Sequence, residues 1–278
     1  MTGEGWTQAV RRQLGFGRVL PLGGAQDGAW VTESAVDAAL RQMADGVFGV
    51  RLGIVRIASA RPDRVYVAAV PAPPSALPPG PLRITAEFAA AATGPLPAAA
   101  DRLRAALSGA ADQLGLVTEA VDLKVTALLD EGVGNRPGEA PAPPKPPVGD
   151  DMSDGTSDRL DEGPDDGPDE DLSEGWGDDT DDKDAARVGQ SALSVPGVAR
   201  LTGVLGRAVH LEERPATGAL PRRHARVELA TDPGHRALDV ALAVRAAVGA
   251  ALPDHPTVAV LVTEVGREPD RAEPGGRA

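Results

Sequence analysis

The side chains best suited to acid–base or metal chemistry are four histidines, at positions 210, 224, 235 and 255. They lack the short paired spacing of a metal site and the His-Glu-x-x-His helix pattern. Cysteine is absent, which excludes disulfides, thiolate metal ligands and cysteine nucleophiles. The Gly-Phe-Gly at 15–17 lacks the third glycine of a dinucleotide fingerprint, and Ser108 falls within a predicted helix, not on a nucleophile elbow. The sequence therefore predicts no catalytic residue, no cofactor, no metal site and no enzymatic activity.

The strongest concentration of charge is residues 150–184, which hold 17 acidic and two basic residues, a net of −15. The whole chain carries −13, so all other residues together sum to +2. With the Pro-rich stretch before it, this tract forms a linker over residues 131–184. Because low hydrophobicity and charge of one sign cannot offset the entropy of ordering, the linker is predicted to be disordered.

Two other roles for the acidic tract stay open. Asp165, Asp166, Asp169 and Asp171 are dense oxygen donors, but the tract lacks the glycine and terminal glutamate of a calcium loop, so only diffuse cation binding is expected. The tract also has the charge to compete with nucleic acid or an anionic surface for a group of arginines. That group is Arg222, Arg223, Arg226 and Arg236.

The elements around these side chains occur twice. Residues 46–52 read Gly-Val-Phe-Gly-Val-Arg-Leu and residues 194–201 read Ser-Val-Pro-Gly-Val-Ala-Arg-Leu. We assign structural turn roles to Gly49 with Val50 and to Gly197 with Val198, since glycine adopts backbone angles that a side chain penalises. A recurring unit is stronger evidence of architecture than any single motif.

Each turn is followed by the same predicted order of strands and helix. The first copy begins with a helix capped by Thr32, followed by strands at 54–58 and 65–70 and a Pro-rich loop at 71–81. An alternating strand at 82–88 comes next, then a helix at 98–114 that ends at Gly115, and a last strand at 121–127. The second copy has a short helix before Val195, strands near 208–212 and 225–230 with a Pro-bearing loop at 214–223, a helix at 237–252 and a strand at 257–265.

The fold class is therefore α/β (α+β), with two related helix-strand-strand-helix-strand modules joined by the disordered acidic linker. The predicted boundaries are an N-terminal segment at 1–30, a first module at 31–130, the linker at 131–184, a second module at 185–266 and a tail at 267–278. Heavy Ala, Gly and Pro usage, with 25 Arg against three Lys, is typical of a GC-rich actinobacterial genome.

The helix and last strand of the second module are apolar nearly all round, and such elements are usually covered on both sides. We expect them to bury surface against the first module or against another chain. Alanine acting as surface filler is the alternative. The candidate interface residues are Leu238, Leu242, Val244, Val248, Leu252, Ala259 and Leu261.

No leader-like apolar run and no stretch of about 18 apolar residues is present, so a cytoplasmic location without a transmembrane segment is expected. Residues 6–14 suggest a short helix with Trp6, Val10 and Leu14 on one side and arginines nearby. It would pack on the first module or lie on an anionic membrane surface. The first alternative is favoured.

At Val47-Phe48-Gly49-Val50 and Val195-Pro196-Gly197-Val198 the chain resembles the alkaline-shock, or general-stress, envelope stress-response family of Gram-positive bacteria. The resemblance covers both repeats and implies a small α/β module without enzymatic activity, often held at the membrane by a partner. Two-copy actinobacterial chains of this kind can carry a nucleopolyhedrovirus-type family label, but no coiled-coil heptads support viral fibre chemistry. The doubling, the Pro-rich insertion and the acidic linker depart from the family's pattern.

These observations predict a non-enzymatic scaffold or adaptor that acts by protein–protein contact at the inner face of the membrane. Its partner is a protein, with a membrane-associated protein, intramolecular pairing of the modules and homo-oligomerisation as the alternatives. A nucleic-acid-binding regulatory protein is the alternative function, since strand-helix-strand modules also occur in RNA-binding folds. It is not favoured, because such folds present stacking aromatics and this chain has one Tyr and three Phe.

Overall fold

A computed structural model describes residues 15–129, 178–216 and 219–266. The predicted α/β class is confirmed, with four helices and nine strands in two sheets within this part of the chain. The elements are β1 (Val19–Leu22), β2 (Ala29–Thr32), α1 (Glu33–Asp45), β3 (Val50–Ser59), β4 (Leu82–Ala91), α2 (Leu96–Leu114), β5 (Thr118–Leu129), α3 (Asp178–Leu193), β6 (Val198–Leu201), β7 (Val209–Ala216), β8 (Ala219–Thr231), α4 (Ala237–Ala251) and β9 (Thr257–Val265). The helix predicted at 6–14, most of the linker and the tail at 267–278 lie outside the described residues.

We call α1 to β5 the first half and α3 to β9 the second half. In the first half β4 is central, antiparallel to β3 and parallel to β5. In the second half β8 is central, antiparallel to β6 and β7 and parallel to β9. Since β6 and β7 pair with successive parts of β8, they together take the place of β3. Both halves therefore have the same strand order and the same directions.

The two halves match bond for bond at their turns. Gly49 has φ +71° and its carbonyl accepts from Ala91 N–H at 2.8 Å, while Gly197 has φ +91° and its carbonyl accepts from Asp232 N–H at 2.9 Å. Val50 and Val198, which open the following strands, donate to Val47 and Val195 three residues earlier. Glycine is needed at both turns, because this left-handed backbone penalises a side chain.

The last strands match in the same way. A bulge interrupts β5 at Thr126 and β9 at Thr263, directly after the pairs Phe88–Val125 and Leu229–Val262. The Thr126 hydroxyl donates to the Phe88 carbonyl at 3.4 Å, and the Thr263 hydroxyl donates to the Leu229 carbonyl at 3.2 Å. These bonds fix the alignment of the halves, so that Glu87 corresponds to Glu228 and Lys124 to Leu261.

The strands before α1 belong to the sheet of the second half. β1 and β2 form an antiparallel hairpin, and β2 runs parallel to β9, with Trp30 opposite Leu261. This hairpin was not predicted, and the predicted boundary between residues 30 and 31 falls inside β2. The helices of both halves share one continuous apolar core, to which the hairpin contributes Leu20, Leu22 and Val31. The halves are thus joined by a strand pairing as well as by packing.

The helix ends follow the predicted capping residues. The Thr32 hydroxyl accepts from Ala35 N–H at the start of α1, and its own proton goes to the Thr263 carbonyl at 3.0 Å. α2 ends at Gly115 in the left-handed conformation, where the N–H of this glycine bonds to carbonyls of the last turn. Among the described residues, no helix is long and apolar enough to cross a membrane.

Three predicted elements are wrong. Residues 65–70 form no strand, because β3 pairs directly with β4 and leaves no place beside β4 for another strand. Residues 214–223 are largely the ends of β7 and β8, which pair as far as Ala216 and Ala219, so the prolines did not prevent strand formation. Residues 178–184, assigned to the linker, form the beginning of α3. Acidic residues are favourable at a helix N-terminus because they complement the helix dipole.

Candidate interaction surface

The four histidines do not come together. His224 is buried on β8, where its Nδ1 lies 2.9 Å from the Thr257 hydroxyl, and burial with the Arg214 guanidinium lowers its pKa to about 4. His210 lies on β7, where it pairs with Arg226 of β8. His235 lies against Gly197, and His255 Nδ1 is 2.9 Å from the Gly249 carbonyl. Within the described ranges, no three His, Cys, Asp or Glu side chains are placed to hold a metal ion.

The four arginines of the predicted basic group point to different surroundings. Arg223 contacts Asp184 at 2.8 Å and Asp181 at 3.5 Å, both from the end of the acidic tract that forms α3. Arg226 lies on the face of the sheet opposite to that of Arg223, with its Nε 3.3 Å from Glu228. Arg236 donates to the Asp112 carbonyl at 3.1 Å. Arg222 is exposed in the first part of β8. They do not form one basic patch.

The predicted interface residues all lie against other parts of the chain. Leu238, Val244, Val248 and Leu252 are buried in the shared core, and Leu242 is partly buried against it. Leu238 packs on the first half, so closely that a Cβ on Gly115 would lie 2.3 Å from Leu238 Cβ. Ala259 and Leu261 are buried on the other face of β9. Both faces of this sheet are therefore covered.

We use "outer face" for the side of each sheet turned away from its helices. On the second half, residues 60–81 cover the outer face of β9, where Val70 is buried in one apolar cluster with Ala259 and Leu261. Val19 and Trp30 of the hairpin join this cluster from beside β9 in the same sheet, and Leu205 packs against it. Residues 60–81 connect β3 to β4 of the first half, yet they hydrogen-bond to β1 through Val19 and Leu77. The Pro-rich insertion of one half thus covers the sheet of the other.

A second insertion covers the outer face of β8. Residues 202–208 connect β6 and β7, at the place where Gly53 and Ile54 make a bulge in β3. This loop lies over Glu228, whose Oε2 accepts from Leu205 N–H at 3.0 Å. Glu228 is completely buried, and burial raises its pKa although the Leu205 N–H and Arg226 oppose that rise.

The outer face of the first half has no such cover among the described residues. We call it the open face. Its polar side chains alternate with core residues along β3, β4 and β5, and apart from half-buried Glu87 they are exposed. They are Arg51, Arg56, Arg83, Thr85, Glu87, Asp122 and Lys124. Arg83 pairs with Asp122 at 3.4 Å and Lys124 with Glu87 at 3.3 Å.

The open face was not predicted as a site, although its signal is in the sequence. Arg83, Thr85 and Glu87 alternate with apolar residues in β4, and Asp122 and Lys124 do so in β5. The corresponding positions of β9 are Ala259 and Leu261. The difference between the two copies indicates which sheet is covered and which is open.

A cleft of about 470 Å³ separates α1 and the end of α2 from the β8–α4 connection. Its lining includes Met43, Gln113, His235 and Arg236, and Arg236 is already bonded to the Asp112 carbonyl and to Asp239.

In the comparisons with known proteins, no family model, curated protein or solved structure matched the chain. The family resemblance therefore stays a prediction.

Proposed function

We propose that the protein is a non-enzymatic scaffold or adaptor, related to envelope stress-response proteins, that acts through protein–protein contact at the inner face of the membrane. The observation that supports this proposal is the unequal cover of two matching sheets. The outer face of the second half is buried by packing within the chain, whereas the open face of the first half presents a three-stranded surface with exposed polar side chains.

The side chains of the open face suit a protein partner. Charges of both signs lie within a few ångströms of one another, as in the Arg83–Asp122 and Lys124–Glu87 pairs. Mixed charge of this kind selects a partner with a complementary pattern and suppresses wrong partners. The alternative of nucleic-acid binding finds less support here, because two of the four basic side chains on this face, Arg83 and Lys124, already pair with carboxylates and phosphate binding relies on available cations.

The test is in-cell cross-linking of the full chain followed by affinity capture, with charge reversal on the open face. The double variant Arg51→Glu with Arg56→Glu is expected to lose envelope-associated proteins that the wild type captures. A matched control, Arg64→Glu with Arg102→Glu, makes the same change in net charge at exposed positions elsewhere in the first half. Equal capture by both variants, or wild-type capture of abundant cytosolic enzymes alone, would contradict the proposal.

A further inference from the structure

The outward edge of β5 has the geometry of an edge that is already used in the other half. Counting from the matching turns, Leu123 corresponds to Val260, since Leu123 pairs with Ala86 and Val260 with Val227. The Val260 N–H points away from β8 and donates to the Gly28 carbonyl beside β2 at 3.1 Å. By this correspondence the Leu123 N–H and carbonyl point to the free edge of β5.

This edge is long and lacks a neighbouring strand among the described residues. β5 has 12 residues, and the described sheet ends at it. Two apolar side chains near its end stay in solvent, with Val125 39% and Leu128 60% exposed. An exposed edge of this length is a template for another strand.

The charges on β5 specify which strand fits. If a second β5 lies antiparallel with Leu123 opposite Leu123, the outward backbone groups of both strands face each other as a hydrogen-bonded pair. Asp122 of each copy then stands opposite Lys124 of the other. Moving the register by two residues either way places Asp122 opposite Asp122 or Lys124 opposite Lys124. The charge pattern therefore selects the register centred on Leu123.

We infer that two copies of this chain associate edge to edge through β5, forming one mixed six-stranded sheet in which the two β5 strands are antiparallel to each other. Asp122 and Lys124 are 53% and 71% exposed at their side chains, so both can reach a second chain. Across the join the charges alternate from Arg83 to Asp122, then to Lys124 and Glu87 of the second copy. This inference uses the strand edge, so it does not depend on the proposed function of the open face.

The test is charge complementation, measured by sedimentation equilibrium over a range of concentrations. Wild type is expected to approach twice its 28.4 kDa mass as concentration rises. Asp122→Lys makes positions 122 and 124 both basic and Lys124→Asp makes them both acidic, so each variant alone should dimerise about tenfold more weakly or worse. An equimolar mixture of the two variants should recover dimers, because every cross-strand pair is then again of opposite sign.

The mixture separates the inference from simple damage to folding, since two misfolded chains do not restore each other. Arg51→Asp, on β3 of the same face but away from the β5 edge, should leave the dimerisation constant unchanged. The inference is overturned if wild type stays monomeric at all concentrations, as it would if another part of the chain occupied the edge. It is equally overturned if wild type dimerises and the single variants match it, or if the mixture is no better than its components.

Discussion

The two halves share strand order, turn bonds and even the hydroxyl bond at a bulge, but they differ in what covers them. On the second half, residues 60–81 and residues 202–208 cover the outer face, and the side chains beneath them are apolar or have lost contact with water. On the first half, the matching positions carry charges in solvent. The comparison shows that the same fold can have a buried outer sheet face in one copy and a solvent-exposed outer sheet face in the other.

The largest expected effect comes from exchanging Leu261 and its counterpart Lys124. Leu261→Lys places a charge in a fully buried position and should lower the free energy of unfolding by about 3–5 kcal/mol. Lys124→Leu should change it by less than about 0.5 kcal/mol, because the side chain is exposed. Urea denaturation of both variants measures the difference, and similar losses would remove the contrast between the faces.

Acid should destabilise the second half through His224. Its folded pKa of about 4 is below the unfolded value, so the unfolded chain binds more protons as pH falls from about 6.5 to 4. The contribution of His224 to the free energy of unfolding is fully present above pH 6.5, and about 3 kcal/mol of it is lost when the pH falls to 4. Between pH 7 and pH 4.5, the free energy of unfolding of His224→Gln should fall less than that of wild type, as measured by unfolding curves at the two pH values.

Neighbouring groups do not remove the expected pH effect. Glu212, Arg214 and Arg226 surround His224, and the two arginines favour its neutral form. Burial of Glu228 acts in the opposite sense, since a raised carboxyl pKa makes the folded state gain stability as pH falls towards the unfolded value. An identical pH dependence in His224→Gln and wild type would show that His224 is not buried as a neutral group.

The matching turns should respond unequally to alanine. Both glycines have positive φ, so each Gly→Ala change costs about 1 kcal/mol of backbone strain. A Cβ at Gly197 would also lie 2.6 Å from Val240 Cγ2, whereas at Gly49 the nearest atom is Ala91 Cβ at 3.3 Å. Thermal unfolding should therefore rank Gly197→Ala below Gly49→Ala by roughly another 1–2 kcal/mol. The reverse order would contradict the packing described for the second half.

The smallest effect concerns two ion pairs. Asp184 is 13% exposed beside Arg223, whereas Asp122 is 53% exposed beside Arg83. Asp184→Asn should destabilise by about 1–2 kcal/mol and Asp122→Asn by less than about 0.5 kcal/mol, since exposed pairs contribute little. Denaturation in low and high salt gives the comparison. At a concentration where the chain is monomeric, a stronger loss at Asp122 would mean that the open face is covered by another part of the chain.

The sequence predicted the features that depend on local chemistry. The Val-x-Gly-Val turns, the Thr32 cap, the end of α2 at Gly115 and the alternation in β4 all follow from residue types at fixed spacing. It also indicated that Ala259 and Leu261 need cover. These properties can be predicted from the sequence because each depends on a few neighbouring residues.

What could not be predicted depends on contacts between distant segments. The pairing of Trp30 with Leu261 joins strands more than 200 residues apart, and no local pattern identifies that neighbour. A hairpin signal was nevertheless present, since apolar runs flank a turn containing Asp27-Gly28. Val70 looked like part of a strand because it buries an apolar side chain, but it does so from an irregular segment lying on another sheet.

The most direct test uses Glu87 and Glu228, which occupy the same position in the two copies. Carboxyl-directed footprinting of the native chain, read residue by residue by mass spectrometry, reports whether water-borne reagent reaches each side chain. We predict ready modification of Glu87, whose side chain is 32% exposed, and protection of Glu228, which is completely buried, until the protein unfolds. Equal modification of both glutamates in the folded chain would contradict the unequal cover on which this account depends.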